Sequence, residues 1–442
     1  MATLLTARAV LPMEDADRRR LLQPGAVLVD RGVIAAVGPP EKFDEVEAER
    51  VDLAGHALIP GLHNCHMHSG LLRGTAEDLP LLDWLRTYVD PMHRALTPEI
   101  AEAASRLCYA ESLLAGTTSV MDMWRFLDRA AVVASDLGMR ATLVPYVCDG
   151  EGLDYFETLD SNQALLQQVG VDGRVRAWVG LEHLLYCTPR AYEGAIALAA
   201  EFGTQIHTHS SEQQLEIAEV LERFGRRPIH ELHHRRLLDE GRCVIAHCVW
   251  LDDAELDVLA ETGTRVAHCP CSNMKLASGV ARVPDMWARG VTVGLGSDGE
   301  KENNNLDLLE EMKVASLIQK LVGLDAAAGN AWDILAMATI EGARCLGLER
   351  LTGSIEPGKA ADLVAVDLRG LHTTPVLSGL DANVAQHLVF AARASDVSDV
   401  WVEGHHLVAG GRLLGHDVDA IRSAAQAAAE ELFERRRALA EP

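Results

Sequence analysis

The stretch Pro60-Gly61-Leu62-His63-Asn64-Cys65-His66-Met67-His68 decides the fold. It follows the apolar run Ala57-Leu58-Ile59 and reads as the end of a buried strand. Side chains alternate along a strand, so His66 and His68 share a face. Two imidazoles on one face at a strand end can hold a metal ion, and a hydrolytic site needs further donors from other strand ends. The later sequence offers His207-Thr208-His209, Ala246-His247 and Gly296-Ser297-Asp298-Gly299, each closing an apolar run. Chance or a packed, hydrogen-bonded pair would explain the first His-x-His alone, but not the recurrence.

Outward from this stretch, residues 57–350 alternate between apolar, β-branched runs of strand length and Ala/Leu/Glu-rich helical stretches. Strands are expected at 57–68, 117–123, 140–147, 174–183, 204–211, 243–250, 264–270 and 291–298, with helices such as 98–114, 191–202, 212–224, 253–261 and 305–320 between them. Such a succession predicts an α/β fold, a closed parallel (β/α)8 barrel of the TIM type. An open doubly wound sheet would need a Gly-rich phosphate loop after its first strand, and Pro60-Gly61 is not one. In a barrel, function sits at the C-terminal strand ends, where these His and Asp residues fall. Residues 1–56 read as short strands with a hairpin around Arg31-Gly32, and 351–442 as strands followed by an Ala/Glu/Arg-rich helix over 418–440, expected to be solvated. Both chain ends are expected to form one small β-sandwich, with the barrel of 57–350 between them.

A chain of 442 residues suits one large barrel plus a smaller unit, and a hydrophobic fraction of 48% supplies the core. The formal charge of −25 argues against a nucleic-acid-binding surface, which needs clustered Lys and Arg. The nine cysteines are an odd number without a C-x-x-C pair, which predicts reduced thiols and a cytoplasmic location. Cys269-Pro270-Cys271 reads as packing cysteines. Residues 1–20 do not read as a signal peptide, because Arg8 and then Glu14, Asp15 and Asp17 break the apolar stretch. No apolar run approaches the ~20 residues of a membrane helix.

Further motifs accompany the histidines: Leu71-Leu72-Arg73-Gly74 with Glu77-Asp78-Leu79, His209-Ser210-Ser211-Glu212, Ala246-His247-Cys248-Val249-Trp250-Leu251, Ser272-Asn273-Met274-Lys275 through Gly279, and Gly353 through Asp362. Together they resemble the amidohydrolase superfamily, in the branch holding methylthioadenosine/S-adenosylhomocysteine deaminases and the triazine (TRZ/ATZ) hydrolases, over essentially the whole chain. The resemblance implies one divalent metal, zinc with iron as the alternative, held by His66, His68, His209 and Asp298. Spacing alone does not rank His207 against His209; the family pattern chooses His209 because His-x-x-Glu follows it. By the same resemblance Asp298 takes the proton of the attacking water, His247 polarises that water, and Glu212 protonates a ring nitrogen and then the leaving amine. His183, Leu82, Trp84 and Asn273 are implied to bind substrate. Glu182 departs from a commoner Pro and leaves a second metal open. The unrelated zinc deaminases, with H-x-E and P-C-x-x-C, are excluded because neither pattern occurs.

The activity implied is that of a metal-dependent aminohydrolase. It would hydrolyse the exocyclic C–N bond of an amino-substituted nitrogen heterocycle, purine-, pterin- or triazine-like, with release of ammonia. The alternatives are displacement of chloride or an alkylamine from a triazine, and deamination of a nucleoside such as methylthioadenosine or adenosylhomocysteine. A silent scaffold would be expected to have lost ligands or Glu212, and all are present. The loop from His68 to Gly74 reads as shorter than in nucleoside deaminases of the branch. Leu82, two residues before Trp84, cannot accept a hydrogen bond where an acid would hold the ribose hydroxyls, unless Asp83 replaces it. A free amino-heterocycle is therefore the expected substrate, and a homo-oligomer, dimer or higher, the expected assembly, with neither nucleic acid nor membrane as partner.

Overall fold

The computed structural model describes residues 2–75, 78–79 and 84–440. Glu77, Leu82 and Asp83 lie outside the described residues. Two compact units alternate along the chain: residues 1–65, 110–119 and 307–416 form one, and 66–109, 120–306 and 417–442 the other.

In the first unit, strands from both chain ends make one eight-stranded sheet. Its order is Arg412–Leu413, His405–Ala409, Val397–Val402, Leu363–Asp367, Glu49–Pro60, Thr3–Val10, Gly25–Asp30 and Val33–Gly38. All pairs are antiparallel except Thr3–Val10 with Glu49–Pro60. The sandwich expected from the two ends takes the form of a single curled sheet. Val27 and Ile34, near one edge, share a core with Leu363 and Trp401. Strands spaced about 4.8 Å apart could not bring these residues together in a flat sheet. Ile34 N donates to Lys359 O (2.8 Å) and Gly358 N to Ile34 O (2.9 Å), tying that edge to the turn before Leu363.

The apolar run Ala57-Leu58-Ile59 belongs to this sheet, with Ile59 opposite Val364 and Pro60 opposite Leu363, and does not open the first barrel strand. The chain breaks at Gly61, where a Cβ would stand 2.1 Å from Thr118 Oγ1, and a new strand, Leu62–Met67, begins.

The parallel strands form two hydrogen-bonded sheets. One comprises Leu62–Met67, Thr117–Trp124, Arg140–Pro145 and Val175–Ala177; the other comprises Val179–His183, Ile206–Ser210, Cys243–His247, Arg265–His268 and Val293–Leu295. They meet at one strand interrupted at the buried Trp178, whose N–H bonds Leu143 O (2.9 Å). At the other edge Asp298 N donates to His66 O (3.0 Å). Leu62–Met67 is buried at every residue, as expected of parallel strands covered on both faces, and this is why the strands read as unbroken apolar runs. Helices start at capping boxes, Thr158 with Ser161 and Asp252 with Glu255, and stop at Gly138, Gly203 and Gly263 in the left-handed region.

The helix Val418–Ala440 is not simply solvated, and it packs with the second unit. Leu432 is 2% exposed and sits in a cluster with Leu72, Met92, Ala95 and Ile100. Arg435 Nε donates to Ala95 O (2.8 Å) and Arg436 to Thr87 O (2.7 Å). Ile421, Ala425 and Leu432, with the half-buried Ala428 between them, recur at helical spacing and make the inward stripe that its charged sequence obscures.

Candidate active site

Four side chains from three strand ends meet in the second unit. His66 Nε2 lies 3.5 Å and His68 Nε2 3.3 Å from Asp298 Oδ1, and His209 Nε2 lies 3.4 Å from His68 Nε2. The chain turns sharply here: Ser211, His247, Cys248 and Asp298 all have positive φ (59°, 74°, 49° and 61°). Each such non-glycine residue costs of order 1 kcal/mol, a strain typical of functional strand ends.

The remaining ring nitrogens fix the tautomers. His68 Nδ1 lies 2.5 Å from Met123 O, and His209 Nδ1 2.7 Å from Glu182 O. A carbonyl only accepts, so both Nδ1 atoms carry the hydrogen and both Nε2 atoms a lone pair. His66 reaches the same state by relay. His207 Nδ1 donates to Val244 O (2.9 Å), which leaves His207 Nε2 to accept from His66 Nδ1 (2.8 Å). Burial lowers the pKa of His66, His68, His207 and His209, so these rings are neutral. Asp298 is held as a carboxylate by donors at both of its oxygens. Gly299 N (2.7 Å) and Ser272 Oγ (2.6 Å) donate to its two oxygens.

Two imidazole lone pairs, on His66 and His68, thus face one carboxylate oxygen, with a third, on His209, beside that of His68, an arrangement that repels itself unless a cation lies among them. Donors around a tetrahedral zinc ion, with bonds of about 2.0–2.1 Å, stand roughly 3.3–3.4 Å apart, close to the spacing here. The Nδ1 hydrogen bonds to carbonyls are the supports that metal-binding histidines require. A divalent metal fits this donor set. Among the described residues the groupings able to hold an ion are His66/His68/Asp298 and His66/His209/His247, with donor atoms within 4.8 Å of one another. Glu182 is in neither.

Beside this cluster, His247 Nε2 lies 3.8 Å from Glu212 Oε2 and 3.9 Å from Asp298 Oδ2. Asn273 Nδ2 stands 3.0 Å from His247 Nδ1, behind the ring. Ser278 Oγ donates to Glu212 Oε1 (2.9 Å), and Gln213 Nε2 donates to Ser278 (2.6 Å). Burial raises the pKa of Glu212, so its carboxyl keeps a proton to higher pH than a free one.

These groups open on a cavity of about 840 Å³, towards the upper end of the usual range for a small-molecule site. Trp84, Leu85, Leu185, Tyr186 and Leu215 supply apolar wall. His183 Nε2 pairs with Glu216 Oε1 at 3.0 Å. Burial lowers His183, but Glu216 outweighs it and the ring is pushed up to about 9; its Nδ1 accepts from Leu185 N (3.2 Å). Tyr146 donates to Glu182 Oε1 (3.2 Å), and burial pushes Glu182 up to about 7. Glu302 pairs with Lys301 at 2.7 Å. Burial pushes Glu302 up to about 8 against the pull of Lys301, and a divalent cation nearby adds to that pull.

His66, His68, His209, Asp298, His247 and Glu212 therefore come together as the sequence suggested, and His183 and Trp84 line the same cavity. Asn273 does not line it: this buried amide faces His247, so its contact is with a site residue and not with the substrate space. Leu82 lies outside the described residues. Sequence reasoning missed Glu302, Lys301, Tyr146 and Ser278; a Lys between two acids reads as a solvated charge run, yet all three of Glu300, Lys301 and Glu302 are buried. The pattern His230-Glu231-Leu232-His233-His234 matches a zinc-peptidase helix. Here Glu231 is occupied by Arg226 (3.3 Å) and Arg235 (2.8 Å), and no metal-capable grouping among the described residues includes these histidines.

The family model of the amidohydrolase family matches residues 57–407. The 5-methylthioadenosine/S-adenosylhomocysteine deaminase of Syntrophobacter fumaroxidans is 38% identical over 427 residues, 95% of this chain and 96% of that protein. A crystal structure of an adenosine deaminase from Xanthomonas campestris with bound zinc superposes with a TM-score of 0.92 at 32% identity, covering 98% of both chains. The atrazine chlorohydrolase of Arthrobacter aurescens TC1 complexed with zinc gives a TM-score of 0.89 at 25% identity, over 97% of this chain and 100% of that one. A barrel whose strand ends carry a buried His/His/His/Asp cluster defines a metal-dependent hydrolase. The chain belongs to the amidohydrolase family.

Proposed function

We propose that this protein is a hydrolytic deaminase of adenine nucleosides. It is an aminohydrolase acting on the exocyclic C–N bond of an amino-substituted nitrogen heterocycle, with water consumed and ammonia released. The observation that carries the reading is the convergence of the His66 and His68 Nε2 lone pairs on Asp298, with His209 Nε2 beside His68 and the half-buried acid Glu212 next to His247 at the cavity end.

His66, His68, His209 and Asp298 would hold one divalent ion, zinc by analogy with the zinc-bound relatives and iron as the alternative. Such an ion supplies Lewis acidity that brings the ionisation of water from about 15.7 towards ~7. Asp298, steadied by Ser272 and Gly299, takes the proton of the attacking water. His247, held by Asn273, hydrogen-bonds that water. Glu212 protonates a ring nitrogen next to the reacting carbon and relays the second proton of the water, released as the new C–O bond becomes C=O, to the departing amine, which leaves as ammonia; the proton on Asp298 then returns Glu212 to its acid form. His183, held by Glu216 at Nε2 and by Leu185 N at Nδ1, presents its ring to the substrate as cavity wall.

The relatives named for methylthioadenosine, adenosylhomocysteine and adenosine support a nucleoside, and so does a cavity of about 840 Å³, far larger than a bare purine needs. The free-heterocycle expectation rested on Leu82 and is not carried further. A cytoplasmic location is supported by nine cysteines that form no disulfide among the described residues. No helix among those residues is long and apolar enough to cross a membrane. A homo-oligomer is supported by large apolar side chains left on the surface of the first unit, Leu321 (68% exposed), Leu324 (90%) and Leu371 (94%).

The test is kcat/KM of the metal-loaded protein on adenosine, methylthioadenosine, adenine, guanine and amino- and chloro-s-triazines. A nucleoside value within the usual range of about 10⁴–10⁸ M⁻¹s⁻¹, above every free base, is expected. A free base above all nucleosides, or chloride release without ammonia, overturns the reading.

A further inference from the structure

The turn after the helix Pro270–Lys275 carries a buried serine, Ser278, that the mechanism above does not use. Its backbone N–H donates to Asn273 O (2.8 Å), and its carbonyl accepts from Trp250 Nε1 (2.7 Å), so the residue is held from both sides. The turn is tight. Ala277 before it has φ 51°, and a Cβ on Gly279 after it (φ 126°) would stand 3.0 Å from Val249 Cγ1 and 3.3 Å from Trp250 Cζ2.

The Ser278 hydroxyl has one hydrogen and two lone pairs to place. Gln213 Nε2, an amide nitrogen and so only a donor, lies 2.6 Å from Ser278 Oγ and fills a lone pair. The hydrogen is then directed to Glu212 Oε1, at 2.9 Å. These bonds run one way, from Gln213 to Ser278 to Glu212. The direction matters because the two oxygens of a protonated carboxyl differ: the carbonyl oxygen is the acceptor, and the hydroxyl oxygen carries the hydrogen. A donor at Oε1 makes that atom the carbonyl oxygen and leaves the hydrogen of the acid on Oε2. Oε2 is the oxygen turned to the reaction centre, 3.8 Å from His247 Nε2, which itself lies 3.9 Å from Asp298 Oδ2. Once Glu212 has given its proton up, the same hydroxyl supports the charge that appears, as a stronger, charge-assisted bond.

We propose that Ser278, turned by Gln213, positions the proton of Glu212: the hydroxyl occupies Oε1, so that Oε2 delivers the proton to the ring nitrogen and relays the next one to the amine. This rests on the deaminase reading above. Ser278 and Gln213 are positioning residues, because both act through the Glu212 carboxyl. The turn that carries Asn273, the residue behind the His247 ring, thereby also sets the acid.

The test is a mutant cycle on the full-length metal-loaded protein with adenosine, each variant checked for parental metal content. Ser278→Ala should lower kcat by roughly tenfold to hundredfold, the usual worth of a hydrogen bond to a charged group, with KM within about twofold of the parent. Ser278→Thr keeps the hydroxyl and should recover most of that loss. In a Glu212→Gln background, Ser278→Ala should change kcat by less than about twofold, because no acid proton is left to place. Gln213→Met should lower kcat in the parent and add less than about twofold once Ser278 is replaced by alanine. An equal kcat loss from Ser278→Ala with and without Glu212, or a loss confined to KM, would make Ser278 a packing residue and overturn the proposal. If adenosine is not turned over by the parent, the nucleoside reading fails on its own, and the cycle is read with the same outcomes on the free base or s-triazine that the protein does hydrolyse.

Discussion

His207→Phe removes the middle of the relay that fixes His66. The ring volume is kept, but two buried hydrogen bonds go: His207 Nδ1 to Val244 O at 2.9 Å, and His66 Nδ1 to His207 Nε2 at 2.8 Å. A buried polar group left unsatisfied costs about 1–3 kcal/mol, so the metal-free protein should lose roughly 2–6 kcal/mol in urea unfolding. The second consequence is specific to the relay. Without an acceptor at Nδ1, nothing holds the His66 hydrogen there, and the Nε2 lone pair is no longer assured. Loss of such a support lowers metal affinity by about 10–100-fold, or roughly 1.4–2.7 kcal/mol. Chelator competition reads this without reference to activity. His207→Gln, which can both donate and accept, should recover part of the affinity. If His207→Phe lost stability yet bound zinc as tightly as the parent, His207 would be a packing residue and the tautomer argument would be wrong.

Glu212→Gln should keep its metal and lose about 10²–10⁴ in kcat; turnover at the parental rate would move the acid role elsewhere. Glu182 sits at about 7 in the fold against 4.5 for an ordinary side chain, because burial disfavours its ionised form. Stability is therefore lost as pH rises from the lower value through the upper one. Metal-free Glu182→Gln should match the parent near pH 5 and exceed it by about 3 kcal/mol near pH 8, and an equal difference at both pH values would refute the assignment. Leu432→Ala should cost about 2–5 kcal/mol because Leu432 is buried against Met92 and Ile100, whereas a loss below about 0.5 kcal/mol would return the terminal helix to solvent.

The barrel was legible because parallel strands are buried on both faces, so apolar runs and helical stretches alternate without ambiguity; the expected helix over 98–114 coincides with Pro98–Leu114. The first run misled because Ala57-Leu58-Ile59 and Leu62 onward are equally apolar, and only pairing with Leu363–Val366 separates them. His207 and His209 share a face and a spacing. What distinguishes them is the carbonyl each Nδ1 meets, Val244 or Glu182, and those come from strands distant in sequence. Asn273 looked like a substrate contact because its motif lies at the site; the partner that claims it, His247, is 26 residues away. Glu302 had one cue, Gly299 at a place where no turn demands glycine, but space around a backbone atom is not written in one dimension.

Hydrolytic deamination at this centre is tested most directly by counting ammonia and the oxo product together from adenosine, with the parent protein and Asp298→Asn each loaded with zinc. Equimolar products from the parent, and at least a hundredfold lower rate from Asp298→Asn, about the least that general acid–base catalysis contributes, are predicted. Parental turnover by Asp298→Asn, or an oxo product formed without ammonia, would contradict it.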